Sequence, residues 1–117
     1  MSHPLLESSL RSPYGFGETT AESLHAHATT VRVVDVREPD EFVGELGHVP
    51  GSELVPMMEL QSSAQGWERD QPIVLVCRSG ARSGQMTLAL ESMGFTHVLN
   101  LRGGMIAWNE AGLAVER

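Results

Sequence analysis

Short apolar or β-branched runs alternate along the chain with segments whose apolar residues have helical spacing. The runs predict strands at 31–36, 53–55, 73–76 and 97–101. The run at 73–76 is apolar throughout and lies between Pro72 and a glycine-containing loop, which indicates a strand covered on both faces. Alternating strands and helices are typical of an α/β fold with a mostly parallel sheet.

Capping and turn residues mark where the helices begin and end. Thr19 and Glu22 have the spacing of a capping box, with Thr19 as the N-cap of a helix that continues to Ala28. The clearest apolar stripe, at i, i+3, i+4 and i+7, lies in a later helix between Ser83 and Met93. Further helices are expected at 39–44, 56–64 and 103–111.

The length of 117 residues corresponds to one domain. Residues 1–17 contain two prolines, two glycines and scattered leucines. We therefore expect an irregular N-terminal arm that ends in a short strand near 14–16. The folded domain is expected to cover residues 18–117, with a central sheet of about five strands.

Composition excludes several classes of protein. Hydrophobic residues make up 41% of the chain and charged residues 20%, unlike a disordered or collagen-like chain. A net charge of −7 argues against binding to nucleic acid or to a membrane surface. The longest apolar run, at 73–77, is far too short to span a membrane. The first residues lack the basic and apolar regions of a secretory signal, so we expect a cytoplasmic protein. The sequence leaves the oligomeric state open and slightly favours a monomer.

The single cysteine, Cys77, is the residue with the most evident chemistry. One cysteine excludes an internal disulfide and a zinc site built from several cysteines. All eight basic residues are arginines, which excludes Schiff-base chemistry on lysine. Cys77 directly follows the predicted strand 73–76, and ligands of open α/β sheets bind at the carboxyl ends of the strands.

The loop after Cys77 has a composition that favours an anion on sulfur. It contains Arg78 and Arg82 among small residues, and a predicted helix with its positive N-terminus follows. Between Gln71 and Asn109 the only carboxylate is Glu91. We therefore predict cationic surroundings that stabilise the thiolate of Cys77. The alternative is that Cys77 is merely a small buried hydrophobic residue.

Four segments, in the right order, resemble the rhodanese family of single-domain sulfurtransferases. The sequence Cys-Arg-Ser-Gly-Ala-Arg at 77–82 is similar to the six-residue active loop of that family. The other three segments are Val-Asp-Val-Arg-Glu at 34–38, Gly-His-Val-Pro-Gly at 47–51 and Leu-Arg-Gly-Gly-Met-Ile-Ala-Trp at 101–108. The resemblance covers about residues 19–113 and implies a three-layer α/β/α fold.

The length of the loop separates branches of the family. Related phosphatases and arsenate reductases have Cys-x5-Arg, a wider loop for a tetrahedral oxyanion, whereas this chain has Cys-x4-Arg. The tighter loop suits a sulfur atom carried on the cysteine. Arginine at position 78, directly after the cysteine, is similar to the residue that thiosulfate-type enzymes have there. The mercaptopyruvate branch usually has glycine at this position. The resemblance therefore favours a thiosulfate sulfurtransferase.

The resemblance also implies a role for each loop residue. Cys77 is expected to carry a persulfide. The residues expected to bind the donor are Arg78, Ser79, Gly80, Ala81, Arg82 and Ser83. The donor is a small anion such as thiosulfate, the acceptor is cyanide or a thiol, including a protein thiol, and no metal or organic cofactor is implied. The alternative is a module that relays sulfur between proteins with little turnover on small donors.

Asp35 and Arg37 are expected to support the loop from the adjacent strand. In one interpretation, Asp35 forms hydrogen bonds to the loop and fixes it. In the other, Asp35 forms a local pair with Arg37 or caps the helix that begins at Pro39. The acidic run at 35–45 is expected to be a solvated surface.

Overall fold

The computed structural model describes residues 3–117, which form six strands, six α-helices and two short 3₁₀ helices at Ala28–Thr30 and Ala64–Gly66. The strands are β1 (Leu10–Arg11), β2 (Gly17–Thr19), β3 (Arg32–Asp35), β4 (Glu53–Leu54), β5 (Ile73–Val76) and β6 (Val98–Leu101). The helices are α1 (Pro4–Glu7), α2 (Ala21–His27), α3 (Pro39–Phe42), α4 (Met57–Ser63), α5 (Ala81–Ser92) and α6 (Gly104–Glu110). Within this part of the chain, no helix is long and apolar enough to cross a membrane.

All six strands belong to one sheet, in the order β1-β2-β6-β5-β3-β4. Every neighbouring pair is parallel except β1 with β2. The predicted α/β fold with a mostly parallel sheet is confirmed, and the sheet has six strands because the two-residue β1 adds an antiparallel edge. β5 lies between β3 and β6, so its carboxyl end is flanked on both sides by other strand ends.

Helices cover both faces of the sheet, as a three-layer arrangement requires. On one face, Leu24 of α2 and Trp108 of α6 belong to the same hydrophobic cluster as Val74. On the other face, Leu60 of α4 and Leu90 of α5 pack in a second cluster. Alternate residues of a strand point to opposite faces, so the apolar run of β5 supplies both clusters. Each fully buried aliphatic side chain stabilises the fold by about 1.5–3 kcal/mol.

The N-terminal arm is more ordered than the sequence suggests, although residues 1 and 2 lie outside the described part of the chain. The strand expected near 14–16 is wrong, because that segment is the turn between β1 and β2. The hydroxyl of Ser12 accepts hydrogen bonds from the backbone N–H groups of Tyr14 and Phe16, both at 3.2 Å, and so stabilises the turn. Leu5 and Phe16 are buried against the rest of the chain.

The predicted capping box at Thr19 is wrong by one residue. The N-cap of α2 is Thr20, whose hydroxyl accepts a hydrogen bond from Ser23 N at 3.2 Å. Thr19 instead belongs to β2, where it is paired with Leu101 of β6. A capping box is present at α3, where Glu38 is the N-cap and the side chain of Glu41 accepts from its backbone N–H.

Candidate active site

The candidate site is the turn that connects β5 to α5. Cys77 follows the last residue of β5, and Gly80 turns the chain into the helix with a φ of +101°, a conformation that favours glycine. A Cβ atom at position 80 would also lie 3.3 Å from the backbone nitrogen of Gly103. The loop therefore packs directly against the turn that precedes α6.

The sulfur atom of Cys77 lies inside this turn, and the residue is 1% exposed. The backbone N–H of Gly80 donates to Sγ at 3.1 Å, and the hydroxyl oxygen of Ser83 lies 3.2 Å from Sγ. No side chain of the described residues caps the N-terminus of α5. The first backbone N–H groups of a helix have no acceptor within it, so those at the start of α5 remain available beside the sulfur. Backbone donors and a helix N-terminus stabilise negative charge on sulfur.

The start of α6 fixes the loop through backbone hydrogen bonds. The N–H of Met105 donates to the carbonyl oxygen of Cys77 at 2.9 Å, and that of Ile106 donates to the carbonyl of Arg78 at 3.1 Å. A Cβ atom at Gly104 would lie 2.4 Å from the oxygen of Cys77. Glycine at 104 therefore permits the close approach that fixes the backbone around the sulfur.

The two arginines of the loop differ in their surroundings. The guanidinium of Arg82 forms two parallel hydrogen bonds to the carboxylate of Glu41, both at 2.8 Å. The hydrogen bond from Arg82 is the main cause that holds the pKa of Glu41 at about 2, below its ordinary value. The same contact raises the pKa of Arg82 above its ordinary value. Arg78 is exposed and forms no ion pair with any residue from 3 to 117.

The prediction of wholly cationic surroundings for the loop is therefore wrong in part. The acidic run at 35–45, expected to be a solvated surface, brings Glu41 into contact with the loop. A cavity of about 260 Å³ lies between Arg78 and this run, and Asp40, Glu41 and Glu45 line it. Among residues 3–117, Arg78 is the arginine of the loop without an ion pair, and carboxylates line the cavity beside it.

Asp35 and Arg37 form a buried pair beside the loop. Arg37 donates to Asp35 through Nε at 2.9 Å, through Nη2 at 2.8 Å and through its backbone N–H at 3.0 Å. Nη2 of Arg37 also donates to the carbonyl of Gly47 at 2.7 Å. Within residues 3–117, the side-chain hydrogen bonds of Asp35 all go to Arg37, as the local-pair interpretation expects. Asp35 is paired with Val76 of β5, directly before Cys77.

The comparison with protein families decides how this arrangement is classified. The model of the rhodanese-like domain matches residues 20–111. The chain belongs to the rhodanese-like domain family. The match includes every predicted site residue and the helices α2 to α6.

Relatives of this rhodanese-like domain carry names that describe sulfur transfer. A sulfurtransferase of Allochromatium vinosum is 39% identical over 101 residues, which are 84% of this chain and 92% of that protein. Thiosulfate sulfurtransferase GlpE of Pseudoalteromonas translucida is 35% identical over 69% of this chain and 75% of its own length. A rhodanese-related protein of Thermoplasma volcanium has a similar structure, with a TM-score of 0.75, 29% identity and coverage of 83% of this chain and 94% of that one. These relatives support a sulfur-transfer role.

Three polar residues next to the rhodanese loop were not predicted from the sequence. Glu41 contacts the loop from α3 and Asn100 contacts it from β6, whereas Glu18 of β2 contacts Asn100. Asn100 accepts a hydrogen bond from Ser83 and donates to the carbonyl of Gly80 at 3.2 Å. The signal for Asn100 was present, because it is the polar residue within the otherwise apolar strand β6.

A second cavity, of about 510 Å³, lies on the opposite side of the rhodanese loop. The loop residues Ser79, Gly80 and Ala81 form one wall, and Phe16 and Leu88 belong to its apolar lining. Phe16 packs closely on α5, because a Cβ atom at Gly84 would lie 2.6 Å from its ring. The N-terminal arm therefore helps to form the surface beside the loop.

Proposed function

We propose that this chain is a sulfurtransferase that moves a sulfane sulfur from thiosulfate, or a similar small anion, to cyanide or a thiol through a persulfide on Cys77. The observation that carries the proposal is the position of Sγ inside the turn, with the N–H of Gly80 at 3.1 Å and the N-terminus of α5 beside it. Such a site can hold an additional sulfur atom that is negatively charged.

In the first half-reaction, the thiolate of Cys77 attacks the outer sulfur of thiosulfate. A new S–S bond forms to Sγ, the S–S bond of thiosulfate breaks, and its electron pair leaves with sulfite. One thiolate and one thiosulfate dianion give one persulfide anion and one sulfite dianion, so the charge balances without an oxidant. The N–H groups at the start of α5, which include those of Ala81 and Arg82, stabilise the terminal sulfur.

In the second half-reaction, cyanide attacks the terminal sulfur of the persulfide. Thiocyanate forms, the S–S bond breaks, and its electron pair returns to Sγ as the thiolate. A thiol acceptor reacts in the same way and leaves as a persulfide. The two half-reactions share one site, so the kinetics are expected to be ping-pong.

The two arginines have different roles in this proposal. Arg78 is exposed and unpaired among the described residues, so it attracts the anionic donor and the departing sulfite. Arg82 is held by Glu41 and fixes the end of the loop. The buried pair of Asp35 and Arg37 supports the strand end beside Cys77.

Steady-state turnover with thiosulfate and cyanide tests the proposal, with thiocyanate as the measured product. The wild type is expected to turn over, and Cys77→Ser is expected to have none, because a hydroxyl cannot form a persulfide. Circular dichroism and urea unfolding of both proteins check that the fold is unchanged. Turnover that survives in Cys77→Ser contradicts the proposal.

A second candidate function is a sulfur relay between proteins. The carboxylates of Asp40 and Glu45, which line the cavity beside Arg78, favour a larger thiol partner with a basic surface. A relay predicts that Cys77 accepts sulfur once from thiosulfate but releases it slowly to cyanide. Single-turnover and steady-state rates measured on the same preparation distinguish the two functions.

A further inference from the structure

A chain of hydrogen-bonded polar side chains runs from Glu18 of β2 to Cys77. Arg102 Nε donates to Glu18 Oε1 at 2.8 Å, and Asn100 Nδ2 donates to Glu18 Oε2 at 3.0 Å. Asn100 Oδ1 accepts from the hydroxyl of Ser83, whose oxygen lies 3.2 Å from Sγ of Cys77. Glu18, Asn100 and Ser83 are all buried. Buried polar networks of this kind fix the orientation of their members.

The hydroxyl of Ser83 has one proton and two neighbours that can accept it. Asn100 Nδ2 faces two acceptors, the carboxylate of Glu18 and the carbonyl of Gly80, so the orientation of the amide is determined. Its Oδ1 can only accept, and it therefore takes the proton of Ser83. The oxygen of Ser83 then presents a lone pair to Cys77. This lone pair can accept a hydrogen bond from the neutral S–H group, but it gives no hydrogen bond to the thiolate.

We propose that Glu18 is a positioning residue that, through Asn100, directs the hydroxyl proton of Ser83 away from Cys77. When the thiolate forms, the proton of Ser83 turns to Sγ, and the buried Oδ1 of Asn100 loses its donor. In the persulfide the charge moves to the terminal sulfur, so the proton can return to Asn100. The network therefore disfavours the free thiolate relative to the persulfide.

Two substitutions at Glu18 separate this effect from loss of charge. In Glu18→Gln, the guanidinium of Arg102 keeps its hydrogen bond to the side-chain oxygen of the new glutamine. The side-chain nitrogen of that glutamine therefore faces Nδ2 of Asn100. Two donors then oppose each other, and we expect their repulsion to exceed the stabilisation from the 3.2 Å hydrogen bond to the carbonyl of Gly80. Asn100 then turns its amide, accepts from the amide of the new glutamine and donates to Ser83. Glu18→Ala removes the same charge, but the carbonyl of Gly80 still holds Nδ2.

The measurement is the pH midpoint of iodoacetamide alkylation, which has no background because Cys77 is the only cysteine. Glu18→Gln is expected to lower the midpoint by about half a pH unit relative to Glu18→Ala. In the Ser83→Ala background the two substitutions are expected to have equal midpoints. The proposal would be overturned if Glu18→Gln and Glu18→Ala had equal midpoints with Ser83 present. It would also be overturned if their midpoints differed by the same amount in the Ser83→Ala background.

A second variant makes the test independent of how Glu18→Gln folds. Asn100→Ala removes the acceptor that competes with Cys77 for the proton of Ser83, so it is also expected to lower the midpoint, and an unchanged midpoint contradicts the proposal. The inference rests on the proposed function in its choice of Cys77 as the reacting group and in its consequence for the persulfide, whereas the alkylation test depends only on the thiolate. Iodoacetamide alkylates the thiolate whether or not sulfur is transferred, so failure of one proposal leaves the other intact.

Discussion

Glu41 forms a bidentate ion pair with Arg82 at the end of the Cys77 loop, with both nitrogen–oxygen distances at 2.8 Å. The pair neutralises the arginine that ends the loop and ties α5 to α3. The electrostatic attraction of the loop for an anionic donor then depends on Arg78 and on the backbone N–H groups. The two arginines, which look equivalent in the sequence, are therefore expected to respond differently to substitution.

Arg78→Ala is expected to weaken the use of thiosulfate without weakening the fold. Loss of one charge-assisted contact costs about 1.5–3 kcal/mol, so kcat/KM should fall roughly tenfold to a hundredfold. Most of the loss should appear in KM, because Arg78 attracts the donor before reaction. Steady-state kinetics at varied thiosulfate concentration measure the split. A kcat/KM equal to that of the wild type would show that Arg78 does not bind the donor.

Arg82→Ala is the comparison, because it removes the same charge from the same loop. It should lower the free energy of unfolding and reduce kcat, since the loop loses its tie to α3. Urea unfolding and steady-state kinetics on the same protein measure both effects. If Arg82→Ala raised only the KM for thiosulfate and left stability unchanged, Arg82 would be a donor-binding residue and the assignment of roles would be reversed.

The same ion pair predicts how stability depends on pH. The pKa of Glu41 is about 2 in the folded protein and lies near 4.5 for an unperturbed glutamate. Its contribution is therefore fully present above about pH 4.5 and is lost as the pH falls towards 2. The pair is partly exposed, so after solvent screening we expect roughly 1 kcal/mol. The difference in unfolding free energy between wild type and Glu41→Gln should shrink as the pH falls through this range, and a constant difference would contradict the prediction.

Gly104→Ala is expected to disturb the site through a direct clash. The new Cβ atom would lie 2.4 Å from the carbonyl oxygen of Cys77, at a φ of +56°. Gly112→Ala is the matched control, because its φ is +73° but, among residues 3–117, no heavy atom beyond its two chain neighbours lies within 4 Å of the new Cβ. Both should lose about 1–2 kcal/mol from backbone strain. Gly104→Ala should lose more and should also lose turnover, whereas equal effects of the two substitutions would show that the contact with Cys77 is unimportant.

The fold and the loop were predictable because their signals are local. The apolar run at 73–76 and the Cys-x4-Arg spacing depend on neighbouring residues, and β5 and the turn after it follow from them. Helix ends were less accurate, since Thr19 and Thr20 both suit an N-cap and only pairing of Thr19 with Leu101 decides between them. The turn at Ser12 depends on one side-chain hydroxyl, which the pattern of prolines and glycines does not indicate.

Glu41 and Glu18 could not be found in this way, whereas Asn100 had a local signal as the polar residue of the apolar strand β6. Glu41 lies 41 residues before Arg82, and Glu18 lies 82 residues before Asn100. These contacts form only when the parallel sheet brings distant strands and α3 to one edge. The acidic run containing Glu41 has the composition of a solvated surface, so its contact with the loop required the structure.

Intact-mass spectrometry after incubation with thiosulfate tests the central claim most directly. The wild type should gain the mass of one sulfur atom, and cyanide should remove it and release thiocyanate. Cys77→Ser, treated in the same way, should gain nothing. Absence of added sulfur on the wild type, or equal addition to Cys77→Ser, would contradict a persulfide on Cys77 and with it the proposed sulfurtransferase.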